Sequence, residues 1–177
     1  VLSGAVLRMN PDGSEAEAVV NTGGRPLGFD FAADGTLIVA DAIRGLLAVS
    51  PDGGTTVLAD EIDGDPIRYA DAVVIAADGR MYFTDATRRF SPRELGTFDA
   101  SVLDILEHSC TGRVLVYEPA AARAALVVGG LCFPNGVALS GDEGHLFIAE
   151  TGEYRIWKVD VAARGLDARS ALASGDA

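Results

Sequence analysis

The sequence has little positive charge, few cysteines and no long apolar run. Lys and Arg total 14 against 26 Asp and Glu, and the net charge of −12 disfavours partners such as nucleic acid or an anionic membrane face. No apolar stretch approaches the roughly 18 residues that a membrane-spanning helix needs. Cys110 and Cys132 are too few for a disulfide framework and lack the paired spacing of a zinc site. We therefore expect a soluble protein, either cytoplasmic or periplasmic/secreted, and composition names no function.

A repeated pattern of short strands is the main signal in the sequence. Three segments share a turn, a β-branched or aromatic strand and a closing carboxylate: residues 34–41, 78–85 and 142–150. One apolar strand precedes each turn and two more follow each carboxylate. Four short strands recurring about every 40 to 45 residues are typical of β-propeller blades. A β-sandwich is the alternative, but it would not repeat the same four strands in the same order.

The repeat predicts one all-β domain over residues 1–177, a partial β-propeller of four-stranded antiparallel blades. Residues 1–22 end one blade, 24–62, 69–130 and 132–174 form fuller blades, and 88–109 is an insertion with helical spacing in its middle. About three and a half blades cannot close a ring, since known propellers have about 4 to 8. We expect a piece of a longer protein, because neither end carries a capping or latch strand, and a start at Val1 without a methionine fits removal of a leader or anchor. A dimer that completes the ring is the alternative.

The first strand of each blade lines the channel of a propeller. Counting back from the turn Asp aligns Leu27, Asp71 and Asn135 at equivalent places on these inner strands. Carboxylate and amide oxygens are the ligands that calcium prefers, so Asp71 and Asn135 predict a metal site at the channel mouth. An unpaired buried acid would be costly, which favours a functional role for Asp71. A turn role in Pro-Asn-Gly is the alternative for Asn135.

Other polar residues have both a structural and a functional interpretation. The closing carboxylate recurs in every blade, which favours a structural role in accepting turn N–H groups: Asp41, Asp85 and Glu150. His108 in the insertion suits acid–base catalysis near neutral pH, and a solvated loop histidine is the alternative. Arg88 and Arg89 would bind an anionic ligand or simply offset the acidic surface. Cys132 precedes an inner strand and is expected to be a small buried hydrophobe.

Six motifs follow one another in the order of a known family. They are GRPLG at 24–28, ADAIRGLL at 40–47, MYFTD at 81–85, GRVL at 112–115, FPNGVA at 133–138 and AETGEYRI at 149–156. Together they resemble the strictosidine synthase-like family of six-bladed propellers over roughly residues 20 to 160. The resemblance is specific for the family and not for one reaction, because the wider superfamily includes gluconolactonase/senescence-marker lactonases and paraoxonases.

The resemblance implies a ligand set as well as a fold. In the lactonases and paraoxonases a divalent cation is held by the Asn that matches Asn135 and by a residue that matches Asp71. Their other ligands, a Glu from the first blade and an Asp from a later one, would lie outside this chain. Strictosidine synthase itself works without a metal, through a late-blade Glu that is also outside. Ala72 departs from relatives that often carry a second acid there.

These patterns predict binding of a small, mostly apolar molecule at the channel mouth. The expected function of the complete protein is metal-assisted lactone or ester hydrolysis, with calcium and no organic cofactor. A non-catalytic binding or scaffold propeller is the alternative, and amine–aldehyde (Pictet–Spengler) condensation ranks third. The expected partners are the small molecule and either the rest of the same chain or a second copy. Nucleic acid is not expected, and the chain has no expected membrane segment.

Overall fold

The computed structural model describes residues 4–162, which form five antiparallel sheets from strands adjacent in sequence. A two-stranded sheet contains β1 (Ala5–Arg8) and β2 (Glu17–Asn21). The next contains β3 (Pro26–Phe31), β4 (Leu37–Asp41), β5 (Gly45–Val49) and β6 (Thr55–Ala59). A short hairpin follows, β7 (Glu61–Ile62) and β8 (Asp65–Pro66).

A second four-stranded sheet contains β9 (Ala70–Ile75), β10 (Met81–Asp85), β11 (Gly112–Glu118) and β12 (Arg123–Leu131). The last contains β13 (Pro134–Leu139), β14 (His145–Glu150) and β15 (Arg155–Asp160).

These up-and-down four-stranded sheets confirm the predicted fold class, a partial β-propeller. The turns between first and second strands explain why the pattern repeats. Asp34, Asp78 and Asp142 each accept the backbone N–H two residues on, at 2.9, 3.0 and 3.0 Å, which fixes the turn. The end of the blade predicted over 132–174, from residue 163 on, lies outside the described residues.

The second four-stranded sheet is buried on both faces, because it lies between the first four-stranded sheet and the last sheet. Phe83 and Leu115 in the second four-stranded sheet pack against Ile38 and Leu46 of the first. Their strand neighbours point the other way, because side chains alternate along a strand, and pack against β14 of the last sheet. All five residues of β4 and all five of β10 are consequently buried.

The inner strands lie side by side, with β9 between β3 and β13. The approach is close enough to require glycine at position 28. A Cβ on Gly28 would lie 2.6 Å from the Asp71 carbonyl oxygen and 2.8 Å from the Ala72 Cα. The starts of the three inner strands therefore form one continuous surface.

The insertion is helical, as the apolar spacing predicts. It contains the single-turn α1 (Pro92–Leu95) and the longer α2 (Thr97–Glu107), between β10 and β11. The buried Ala100 of α2 packs with Tyr69 and Phe133, which directly precede inner strands, and the Tyr69 hydroxyl donates to the Thr97 carbonyl at 3.1 Å. The insertion therefore covers the end of the sheets at which β9 and β13 begin.

Candidate functional site

Each inner strand carries one extra residue near its start. In all three sheets the closing carboxylate pairs with the first residue of the inner strand: Pro26 with Asp41, Ala70 with Asp85 and Pro134 with Glu150. Regular pairing resumes two residues later on β3 and three residues later on β9 and β13. Over the same stretch the partner strand has one residue fewer, so each inner strand carries a β-bulge. The extra residues fall at Leu27, at Asp71–Ala72 and at Asn135–Gly136. Bulges re-aim side chains and are enriched next to active sites.

A single hydroxyl group joins the bulges of β9 and β13. The Ala72 N–H donates to Thr84 Oγ1 at 3.0 Å, and this hydroxyl donates to the Asn135 carbonyl at 2.9 Å. Thr84 is fully buried. Asp71 and Asn135 are therefore neighbours along adjacent inner strands, and a fixed hydrogen-bonded bridge holds their backbones.

The Asp71 carboxylate is unusual because it is mostly buried and unpaired. Within residues 4–162 it makes no hydrogen bond or ion pair, and desolvation by burial raises its pKa from 3.8 to about 7. Desolvation, and then the charge of Asp71, also raises the pKa of Tyr69 to about 12. Asn135 is exposed, so its side-chain amide is open to solvent.

The three closing carboxylates have the predicted structural role. Oδ1 of Asp41 accepts the N–H groups of Arg25, Ile43 and Arg44 at 2.9 to 3.0 Å. Asp85 accepts the Tyr69 N–H at 2.8 Å and pairs with the buried Arg113 at 2.9 Å. These contacts tie the entry of the inner strand to the end of its neighbour.

Glu150 extends the same arrangement with a longer side chain. It accepts the Cys132 N–H at 2.6 Å, the Trp157 indole N–H at 2.6 Å and the Arg155 Nε–H at 2.9 Å. With one carboxylate of this kind in each of the three sheets, the recurrence reflects construction of the sheet.

The candidate residues of the insertion are engaged by carboxylates of the chain itself. Arg88 pairs with Asp65 at 2.9 Å, and Arg89 pairs with Glu107 at 3.2 Å. His108 ends α2 in a left-handed conformation, and its Nε2 lies 2.7 Å from Glu153 Oε1. The His108 side chain is 53% exposed. No contact among residues 4–162 joins it to Asp71 or Asn135, so its catalytic role stays a prediction.

The expectation for Cys132 is wrong. Cys132 is buried, but it forms a disulfide with Cys110 instead of packing as a free hydrophobe. Their separation of 22 residues carries no pairing signal, because the insertion and the entry to β13 meet only in the folded structure.

Thr84 was also missed among the functional residues, although the sequence holds a signal for it. The residue before the closing carboxylate is Ala40 in the first repeat and Ala149 in the last, whereas the middle repeat has Thr84. A hydroxyl in place of a methyl group marks the one repeat whose bulge is bridged to the next.

Comparison with known proteins agrees with the predicted family. The family model described as strictosidine synthase matches residues 71–163, which is more than half of the chain and includes both Asp71 and Asn135. The chain belongs to the strictosidine synthase-like family. Protein STRICTOSIDINE SYNTHASE-LIKE 7 of Arabidopsis thaliana is 42% identical over 139 residues, which cover 78% of this chain and 36% of that protein.

Other proteins also resemble this strictosidine synthase-like chain. The adipocyte plasma membrane-associated protein of Rattus norvegicus is 35% identical over 146 residues, covering 80% of this chain and 37% of the relative. The chain thus spans about a third of the curated relatives it matches. A Xanthomonas campestris gluconolactonase superposes with a TM-score of 0.73 at 21% identity, over 93% of this chain and 54% of that one. A streptogramin B lyase gives 0.61 at 12% identity, over 92% and 46%.

Within residues 4–162, no helix is both long and apolar enough to cross a membrane.

Proposed function

We propose that this strictosidine synthase-like chain contributes the channel mouth of a metal-assisted lactone or ester hydrolase. The observation that carries the proposal is the unpaired, mostly buried carboxylate of Asp71 on a bulge next to the Asn135 bulge. Proteins rarely bury a carboxylate without a partner, because its desolvation is unfavourable. A bound ligand of positive charge would supply the missing partner.

The donor set fits a hard divalent cation such as Ca²⁺. Asp71 offers a carboxylate and Asn135 an amide oxygen, and both are ligand types that Ca²⁺ prefers. The Thr84 bridge holds the backbones of both bulges, which favours a defined separation between the two side chains. Further oxygen ligands would come from parts of the longer protein outside this chain.

The chain's own residues would bind and shield the substrate. A bound cation polarises a carbonyl group and makes a water molecule more acidic. Asp71 and Asn135 would orient the cation at the channel mouth. The partly buried Leu27 offers an apolar surface at the equivalent bulge, which suits a mostly apolar ring or acyl group. The insertion, which packs over the starts of β9 and β13, would limit the access of water.

A binding or scaffold propeller is the second candidate function. The hydrogen bonds of Thr84 already satisfy Ala72 N–H and Asn135 C=O, which favours a structural purpose for these bulges. The pairing of Arg88 and Arg89 with Asp65 and Glu107 gives no free cation for an anionic substrate at these positions.

Hydrolysis by the full-length protein separates the two candidates. We expect the full-length protein to hydrolyse aliphatic lactones or aryl esters. A chelator should stop the reaction, and Ca²⁺ should restore it. Asp71→Ala and Asn135→Ala should each lower the rate of hydrolysis about 100-fold or more. Asp142→Ala, in an exposed turn, is the matched control and should keep full activity. Hydrolysis that is indifferent to chelator and to both variants would contradict the proposal. Calcium-dependent ligand binding without turnover would favour the binding propeller.

A further inference from the structure

We propose a second metal site, for a thiophilic divalent cation such as Zn²⁺, formed by His108, Cys110, Cys132 and Glu153 when the disulfide is reduced. One ligand atom from each of the four residues lies within 4.8 Å of the others. Cys132 Sγ lies 3.9 Å from His108 Nε2 and 3.8 Å from Glu153 Oε1. Ligands around tetrahedral Zn²⁺ are about 3.3 to 3.8 Å apart, given its bond lengths to nitrogen and sulfur. Small side-chain movements would therefore complete the site.

Three separate segments bring these ligands together. His108 and Cys110 follow α2, and both have a positive φ, of 55° and 48°, which turns the chain sharply after the helix. Cys132 lies between β12 and β13, where its N–H is held by Glu150 and its carbonyl accepts the Gly152 N–H at 2.9 Å. Glu153 follows in the 3₁₀ turn after β14. A cation here would join the insertion to two neighbouring blades.

The surroundings also suit a bound cation. Arg155 Nη2 lies 2.9 Å from Glu153 Oε2, so it orients the carboxylate and leaves Oε1 directed at His108. Outer partners of this kind commonly orient metal ligands. With two thiolates and one carboxylate around Zn²⁺ the local charge would be negative, and Arg155 would offset it. A cavity of about 390 Å³ lined by Cys110, Cys132 and Glu153 gives access from solvent.

The redox step is thiol–disulfide exchange with a dithiol. The dithiol's electron pair reduces the Cys110–Cys132 bond, the dithiol closes to its own disulfide, and its two protons pass to the cysteine sulfurs. Binding of Zn²⁺ then releases both thiol protons to water, while neutral His108 and ionised Glu153 complete the set. Oxidation removes both thiolates, so the disulfide and the metal exclude each other.

Cobalt titration of the reduced full chain tests this proposal. The chain is reduced with dithiothreitol under argon, freed of reductant by gel filtration, and checked by circular dichroism. We expect one equivalent of Co²⁺ to bind with thiolate charge-transfer absorption and the intense visible bands of tetrahedral Co²⁺, and Zn²⁺ to displace it. The oxidised chain should show neither band.

Substitutions that keep both cysteines show whether the site has four ligands. His108→Gln and Glu153→Gln should each weaken Co²⁺ binding about tenfold or more. His145→Gln, at the chain's other histidine, is the matched control and should leave Co²⁺ binding unchanged. Absence of Co²⁺ binding by the reduced chain would overturn the proposal. Wild-type affinity for Co²⁺ in both His108→Gln and Glu153→Gln would also overturn the proposal. So would a chain that unfolds on reduction and does not refold when Co²⁺ is added.

Discussion

At the scale of single residues, Asp71 is the main departure from ordinary protein construction. The closing carboxylates are more deeply buried, yet each has several N–H donors or an arginine as partners. Burial raises the pKa of Asp71 to about 7 because its carboxylate lacks such partners within residues 4–162. A carboxylate kept without a partner is the signature expected of a ligand-binding residue.

Asp71→Asn should stabilise the metal-free chain, in a pH-dependent way. Because the folded-state pKa exceeds the unfolded value of 3.8, the folded chain holds a proton that the unfolded chain has lost between these pKa values. Stability is therefore lost as the pH rises from about 4 through about 7. We expect the free energy of unfolding of the variant to exceed that of the wild type by about 1 to 3 kcal/mol at pH 8 and by almost nothing near pH 4. Urea denaturation with chelator present measures both. Asp60→Asn, at an exposed aspartate, should show no such trend, and a gain independent of pH would refute the explanation.

At the scale of elements, the bulged starts of the inner strands position the candidate site. The sequence predicted which residues are equivalent, because the turn Asp and the two-residue period of a strand fix Leu27, Asp71 and Asn135. The sequence did not predict the extra residue, since a bulge exists only relative to the paired strand. The insertion helix was predicted from apolar spacing. The disulfide was not, because its pairing depends on how α2 docks onto the entry to β13.

Thr84→Val tests the bridge between the bulges of β9 and β13. Valine has nearly the same shape but leaves the Ala72 N–H without its acceptor and the Asn135 carbonyl without its donor. We expect a loss of about 1 to 3 kcal/mol in the free energy of unfolding, measured by urea denaturation. Thr56→Val, on the exposed face of β6, should change it by less than about 0.5 kcal/mol. Equal effects at both positions would show that the bridge does not matter.

At the scale of the whole molecule, one face of the first four-stranded sheet, β3 to β6, is incompletely covered. Val6 and Val20 of the two-stranded sheet pack on β4 and β5, but nothing within residues 4–162 covers the same face of β3. Phe29 and Phe31 on that face are 57% and 63% exposed, and their rings stack edge to face. Apolar faces of this kind are surfaces for association. We propose that either further blades of a longer protein or a second copy of the chain covers them.

Replacing both phenylalanines should reduce self-association of the 177-residue chain. We expect Phe29→Ser with Phe31→Ser to shift the mass from light scattering toward 18.3 kDa, from about twice that value or more. Phe98→Ser removes an exposed phenylalanine from α2 instead of β3 and should leave the mass unchanged. A wild-type chain that is already monomeric would show that this face does not associate.

Thermal unfolding of the full-length protein with Ca²⁺ and with chelator tests most directly whether Asp71 and Asn135 hold one ion between adjacent inner strands. A ligand that binds the folded state alone raises its stability by mass action. We predict that saturating Ca²⁺ raises the melting temperature by several degrees, and that Asp71→Ala or Asn135→Ala abolishes this rise while Asp142→Ala keeps it. The same melting temperature with Ca²⁺ and with chelator would contradict an ion held by Asp71 and Asn135. An undiminished rise in the melting temperature of both variants would contradict it as well.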